Sequence, residues 1–206
     1  MAFLPSAIKI PMYRAMGAKI GKDCYIGLAI LDAQKIEIGD CVYVGHLNLI
    51  WRLKEAKLES GSRLEFCNWI TGAREGTFRL GRNSAIQRFH FFEASSDISI
   101  GANCIVAGRN SHFFSHGISS SDLDVRRSIH IGDWSYIGSG TRFVPGAGVA
   151  QGTFVGMGAV VTKRHDEEYV MLGGNPAIVK KKLSAADIYF NRSYLPHCHH
   201  PKTYQG

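Results

Sequence analysis

Two histidines, His112 and His116, stand four residues apart in the stretch SHFFSHG. Imidazole is the side chain whose ordinary proton exchange falls near neutral pH, so either residue could take a proton from a substrate or ligate a metal. Phe113 and Phe114 lie between them, and Ser119, Ser120, Ser121, Asp122 and Asp124 follow. Four-residue spacing in a loop gives the pair no shared direction, so the role of each depends on the scaffold beneath it. A second candidate is the basic run Lys180, Lys181 and Lys182. Such a cluster suits a phosphate-bearing small molecule as well as a polymer. The rest of the net charge of +7 is scattered, which argues against a nucleic-acid partner. The five cysteines, Cys24, Cys41, Cys67, Cys104 and Cys198, form no CxxC pair and read as reduced thiols of a cytoplasmic protein.

The scaffold follows from a period of six. Ile131, Ile137, Phe143, Val149, Val155 and Val161 recur without a break. Neither an α-helix nor a strand meander has that period, but a parallel β-helix does, with three short faces to a coil. Read backwards, coils start at Ile20, Ile38, Leu58, Leu80, Ile100, Ile131 and Val149, each with an apolar partner six residues on. The spacings are 18, 20, 22, 20, 31 and 18. The chain is therefore expected to be all-β, a parallel β-helix of about seven coils forming a prism on the order of 33 Å long. Gly or Glu follows most coil starts, and glycine there is expected to accept the corner's backbone angles. A β-sandwich would show period-two alternation, and a doubly wound sheet would show long amphipathic helices. Residues 20–161 show neither.

The 31-residue coil carries the one long inserted loop, and both histidines lie at its root. Insertions in repeat arrays leave the prism, often on the functional face. If the six-residue phase continues past Val106, position 112 points inward. His112 is then partly a core residue, while His116 begins the excursion and is free to meet a ligand.

Residues 1–19 read as a helical lead-in with an apolar side of Ala7, Ile8, Met12, Ala15 and Met16, interrupted by Pro11. Residues 20–163 are the β-helix, and 164–206 a C-terminal helix and flexible tail. The helix cap there is Ser184-Ala185-Ala186-Asp187 ahead of Ile188, Tyr189 and Phe190. No apolar run is long enough for a membrane span, and MAFLPSAIKI lacks the charged leader and cleavage site of a signal peptide. The terminal helices are expected to cover the open ends of the prism.

The segment IHIGDWSYIGSGTRFVPGAGVAQGTFVGMGAVVTK with the ending GGNPAIVKKK resembles the hexapeptide-repeat acyltransferases, whose β-helix is left-handed, and in particular the sugar and polysaccharide O-acetyltransferases. The resemblance covers residues 17–183. It implies a homotrimer with acetyl-CoA as co-substrate in a groove between prisms, no metal, and a sugar or glycan acceptor. It also implies a loop histidine as general base. His116 matches that position and His112 is the secondary candidate. Ser139 and Met157 match corner positions beside the pantetheine arm, and Tyr136 stands where many relatives have tryptophan. Thr162 and Lys163 match the stretch beside the adenine nucleotide. Asn175 begins the Asn-Pro-Ala turn, and Lys181 matches a basic residue near the ribose phosphate. Ile178 departs from the basic residue usual after that turn. Two other functions use the same fold. One is a γ-class carbonic anhydrase-like metalloenzyme, for which His90, His112 and His116 would have to surround zinc. The other is a non-catalytic scaffold.

Overall fold

The structure is a computed structural model that describes residues 3–193. Short strands stack in parallel, one coil on the next, into a three-faced prism. One face runs Tyr25–Ile26, Tyr43–Val44, Arg63–Leu64, Ala85–Ile86, Ile105–Val106, Tyr136–Ile137, Phe154–Val155 and Val170–Gly173. These eight parallel strands give eight turns, one more than the hexad starts indicate. This will be called the tyrosine face. The other two faces share one large sheet, because the long strands Ile30–Ile38 and Leu49–Leu58 bend across a corner. One of these, the aromatic face, carries Trp69–Thr71, Phe91–Glu93, His112–Phe114, Arg142–Phe143 and Val160–Val161. The other, the charged face, carries Thr77–Leu80, Ile98–Ile100, Ile129–Ile131, Gly148–Val149 and Arg164–His165.

The hexad residues line the core. Leu64, Leu80, Ile86, Val106, Ile131, Ile137, Phe143 and Val161 are fully buried. In the middle coils the aromatic face fills the core with phenylalanines. Phe92 and Phe113 stack at 4.5 Å, Phe113 and Phe143 at 4.8 Å, and Phe78 meets Phe92 edge-on at 5.3 Å.

Glycine after the coil starts serves a purpose other than the expected one. A Cβ at Gly39 would lie 2.5 Å from the Ser60 amide nitrogen, and at Gly132 2.4 Å from that of Gln151. The close approach of the next coil excludes a side chain. The left-handed backbone occurs two residues later, at Asp23, Cys41, Asn83, Asn103 and Trp134, with φ between 54° and 59°. These residues carry the corner's strain.

The helix Ser6–Ala15 covers the first coil, but with the opposite side to the apolar one read from the sequence. Lys9 and Tyr13 are buried, whereas Ile8, Met12 and Met16 are exposed. The reason is what lies beneath, a strand edge of unpaired backbone groups. Ser6 Oγ accepts the Ile26 N–H at 2.9 Å, the Tyr13 hydroxyl accepts the Leu31 N–H at 3.3 Å, and Lys9 Nζ donates to the Gly27 carbonyl. Arg14 donates to the Ile20 and Gly21 carbonyls at 2.9 and 2.7 Å. At the far end Ile178–Lys182 folds back antiparallel on Val170–Gly173.

The expected C-terminal helix does not form within the described residues. Residues 185–191 make tight turns in which side chains take the backbone bonds a helix needs. Ser184 Oγ accepts the Ala186 N–H, Asp187 accepts the Ser184 N–H, and Asn191 Nδ2 donates to the Ala185 and Asp187 carbonyls. The segment instead lays Tyr189 and Phe190 edge-on against Phe154 at 4.7 and 5.8 Å. The histidine-rich end and Cys198 lie outside the described residues. Cys24, Cys67 and Cys104 are free thiols, as expected, whereas Cys41 is disulfide-bonded.

Candidate functional site

His116 leaves the prism where the aromatic face turns toward the charged face. Its root is pinned by buried Ser115, whose hydroxyl donates to the Glu93 carbonyl at 2.8 Å and accepts the Ser96 N–H at 2.8 Å. The His116 N–H donates to Glu93 Oε2 at 2.9 Å. Beyond it the insertion folds back as a small antiparallel ribbon, His116–Gly117 against Val125–Arg126. That return brings Asp124 Oδ1 to 3.3 Å from His116 Nε2, with the imidazole 40% exposed. Arg126 Nε donates to the same Asp124 oxygen at 2.7 Å and also pairs with Glu75. The carboxylate beside the imidazole is thus itself held in place. Sequence reading noted Asp124 within the insertion but gave it no role, and Glu93 went unnoticed. Only the fold of the ribbon and the coil register bring them to His116.

The expected inward position of His112 is overturned. Phe113 is fully buried, while His112 lies outward between Phe91 and Phe114, with ring centroids 5.9 and 6.0 Å away. The preceding corner holds one extra residue, with left-handed backbone at both Gly108 and Asn110, and this shifts the phase by one. Partial burial, and then the neighbouring Arg142, push the His112 pKa down.

His90 is sealed inside the prism at 1% exposure. It belongs to an internal polar ladder on one corner. Asn48 Oδ1 accepts the Asn68 N–H at 2.9 Å, Asn68 Oδ1 accepts the His90 N–H at 3.0 Å, and His90 Nδ1 accepts the Ser111 N–H at 3.2 Å. A zinc site of His90, His112 and His116 is therefore excluded, since His90 faces the interior and the other two face outward. Among the described residues no group of three His, Cys, Asp or Glu side chains is placed to hold a metal ion. Cys104 is no nucleophile either, since burial pushes its thiol up to about 12.

Burial pushes the His90 pKa from 6.5 down to about 4, which the Gly108 backbone offsets in part and His112 reinforces. The unfolded chain protonates this imidazole near pH 6.5 and the folded chain does not until about pH 4. Stability is therefore lost as pH falls through that window, by on the order of 3 kcal/mol. Urea midpoints measured from pH 7 to 4.5 are expected to fall. His90→Asn, which extends the asparagine ladder without a titrating group, is expected to flatten the fall. An unchanged slope in that variant would assign the acid lability to other groups.

The residues matched to coenzyme A fall on separate parts of the prism. Ser139 and Met157 stack on the corner between the tyrosine and aromatic faces, where the Gly158 N–H donates to the Ser139 carbonyl at 2.9 Å. Met157 is 79% exposed. Asn175, in a cis peptide with Pro176, turns just beyond them, and the Val160 N–H donates to the Gly174 carbonyl at 3.0 Å. Thr162 and Lys163 lie at the opposite edge of the aromatic face, on the corner from which His116 departs. Tyr136 stacks on Phe154 at 5.2 Å on the tyrosine face, with Tyr189 edge-on at 6.2 Å. Lys181 is exposed on the last strand of that same row. Within one chain, His116 and the Ser139–Met157 corner are separated by the width of a face, roughly 15–20 Å.

No family model matches the chain. It is 24% identical over 181 residues to the bifunctional protein GlmU of Alkalilimnicola ehrlichii, covering 72% of this chain and 36% of that protein. The chain thus spans about a third of the length of the curated relative it matches. Among solved structures it is similar to a galactoside acetyltransferase in complex with coenzyme A, with a TM-score of 0.54 and 20% identity over 68% of this chain and 69% of that one. It is also similar to the UDP-N-acetylglucosamine O-acyltransferase LpxA of Moraxella catarrhalis, with a TM-score of 0.52 and 17% identity over 80% and 65%. A third is AntD, an N-acyltransferase of Bacillus cereus, with a TM-score of 0.52 and 14% identity over 84% and 88%. The stacked coils, the three faces and these likenesses give one conclusion: the chain has the left-handed parallel β-helix fold of the hexapeptide-repeat acyltransferases.

Proposed function

We propose that the chain is an acyl-CoA-dependent O-acyltransferase that moves an acetyl group from acetyl-CoA to a hydroxyl of a sugar or glycan precursor, with His116 as general base. The observation that carries this is the half-exposed imidazole at the root of the sole long insertion, 3.3 Å from Asp124. The names of the similar proteins add support, because acyl transfer recurs among them.

The Asp124 carboxylate favours a proton on Nε2, which leaves the lone pair on Nδ1. That nitrogen takes the hydroxyl proton as the oxygen attacks the thioester carbonyl. A backbone N–H on a corner donates to the tetrahedral oxyanion. The intermediate collapses with release of the coenzyme A thiolate, and the imidazolium returns the proton. Serine hydroxyls, a metal or a buried thiol have no part in this route.

A site that joins His116 to the Ser139–Met157 corner needs two copies of the chain, since one copy holds them on opposite edges of a face. Three prisms around an axis would close such a ring, each lending one edge to the next. Tyr136, Thr162, Lys163, Asn175 and Lys181 would then grip the coenzyme along the groove. We infer a cytoplasmic reaction, a compartment in which acyl-CoA is supplied.

The test is release of free thiol from acetyl-CoA with mono- and oligosaccharide acceptors, alongside detection of the acetyl ester. Thiol release that depends on the acceptor is expected. Ester formation with no acceptor of the panel would discard the assignment.

A further inference from the structure

The outer surface of the aromatic face holds rings that the core does not need. Ile50, Ile70, Phe92 and Phe113 point inward and fill the prism. Their neighbours point outward, and stacking sets them in register. Trp69 lies beside Phe91, and Phe91 beside His112, while Trp51, Thr71, Glu93 and Phe114 form the adjoining column. Trp69 meets Phe91 edge-on at 5.9 Å, and Phe91 meets Phe114 at 5.7 Å. Trp51, Trp69 and Phe114 are 42%, 53% and 37% exposed. Exposed apolar surface of this kind marks a binding site.

We infer that this ladder is the acceptor platform and that the acceptor is a linear glycan of several residues rather than a single sugar. The inference rests on the acyl-transfer reading for its orientation. Three features select a glycan. The ladder ends at the candidate base, since Phe114 precedes His116 by two residues and Glu93, in register with Phe114, accepts the His116 N–H. Its second column sets two hydrogen-bonding residues between two rings, in the order Trp51, Thr71, Glu93 and Phe114. A pyranose has the same two aspects, an apolar C–H face and a rim of hydroxyls, and sites of that kind pair aromatic surface with a few placed polar groups. Finally, the rungs repeat at the coil spacing of ~4.8 Å, which suits a ligand that itself repeats.

The test is tryptophan fluorescence of the full chain titrated with uncharged linear gluco-, galacto- and manno-oligosaccharides of one to six residues. Saturable changes are expected, with affinity for at least one series rising about tenfold between one and four residues. Trp69→Ala and Trp51→Ala are each expected to weaken four-residue binding by roughly tenfold. Single-sugar binding and the oligomeric mass by light scattering should stay unchanged in both. No saturable response with any series, or equal affinity at every length, overturns the platform. A change of mass in both variants also overturns it, because the face then packs against a second copy. Acetyl transfer to a single sugar with the same kcat/KM as to a chain removes the platform and keeps the acyltransferase. Length-dependent binding with no thiol release keeps the platform and removes the acyltransferase.

Discussion

Replacing His116 with alanine is expected to lower acetyl transfer by ~10²–10⁴-fold, the range a positioned acid–base group supplies. The loss should appear in kcat, because the imidazole acts on the proton in flight rather than on the coenzyme's binding. Folding should be preserved. The side chain is 40% exposed, and the root of the loop is held by the backbone of His116 and by Ser115, which the substitution leaves in place. Circular dichroism and the oligomeric mass would establish that, and coenzyme A affinity by calorimetry should match the parent. Full activity in a folded His116→Ala variant would dismiss His116 as the base. His112 provides the comparison. It lies outward beside Phe91 with its pKa held down, so His112→Ala should cost less activity and act through the acceptor. A dead but ordered His112 variant alongside an active His116 variant would exchange the two roles.

The largest stability effect is expected at Phe113. Its ring is fully buried and stacked on both sides, on Phe92 at 4.5 Å and on Phe143 at 4.8 Å. Phe113→Ala removes the ring and leaves a cavity that neighbouring coils cannot close, because their spacing is fixed by backbone hydrogen bonds. The expected loss is about 3–5 kcal/mol. It should appear as a lower urea midpoint with little change in slope. Phe114→Ala, one residue along but on the outer surface, should cost far less. Equal destabilisation by the two would mean that the alternation of this strand has been misread. Because each coil contacts only its neighbours, the Phe113 defect should also loosen the middle coils ahead of the ends, visible as faster amide exchange there.

Much of the fold was legible because the core of a β-helix imposes a strict sequence period. From Ile131 to Val161 each face takes six residues, and the inward residue of each is apolar. The reading failed where a corner changed length. One extra residue between Val106 and Phe113 turned His112 outward and Phe113 inward, and residue types alone do not count corner residues. At the first coil an apolar stripe was the wrong guide, since a strand edge asks for hydrogen-bonding groups and selected Lys9, Tyr13 and Arg14. At Ser184 the cap-like residues closed turns instead of starting a helix, and Tyr189 and Phe190 found aromatic partners on the tyrosine face. The position of His116 at the root of the insertion was legible, but its pairing with Asp124 was not. That contact depends on a ribbon joining His116–Gly117 to Val125–Arg126 across a turn without periodicity.

The two closures of the prism bear on how copies of the chain can associate. A bare solenoid end is a template on which another molecule could continue the winding, and repetition would yield an endless fibre. Here the Ile26 and Leu31 amides and the Ile20, Gly21 and Gly27 carbonyls of the leading edge are occupied by Ser6, Lys9, Tyr13 and Arg14. The trailing edge ends in a reversed strand bearing Lys180, Lys181 and Lys182, all exposed. Reversal breaks the register a newcomer would need, and like charges repel its twin. Among the described residues, continued winding is hindered where the helix covers the first coil and where the reversed strand caps the tyrosine face.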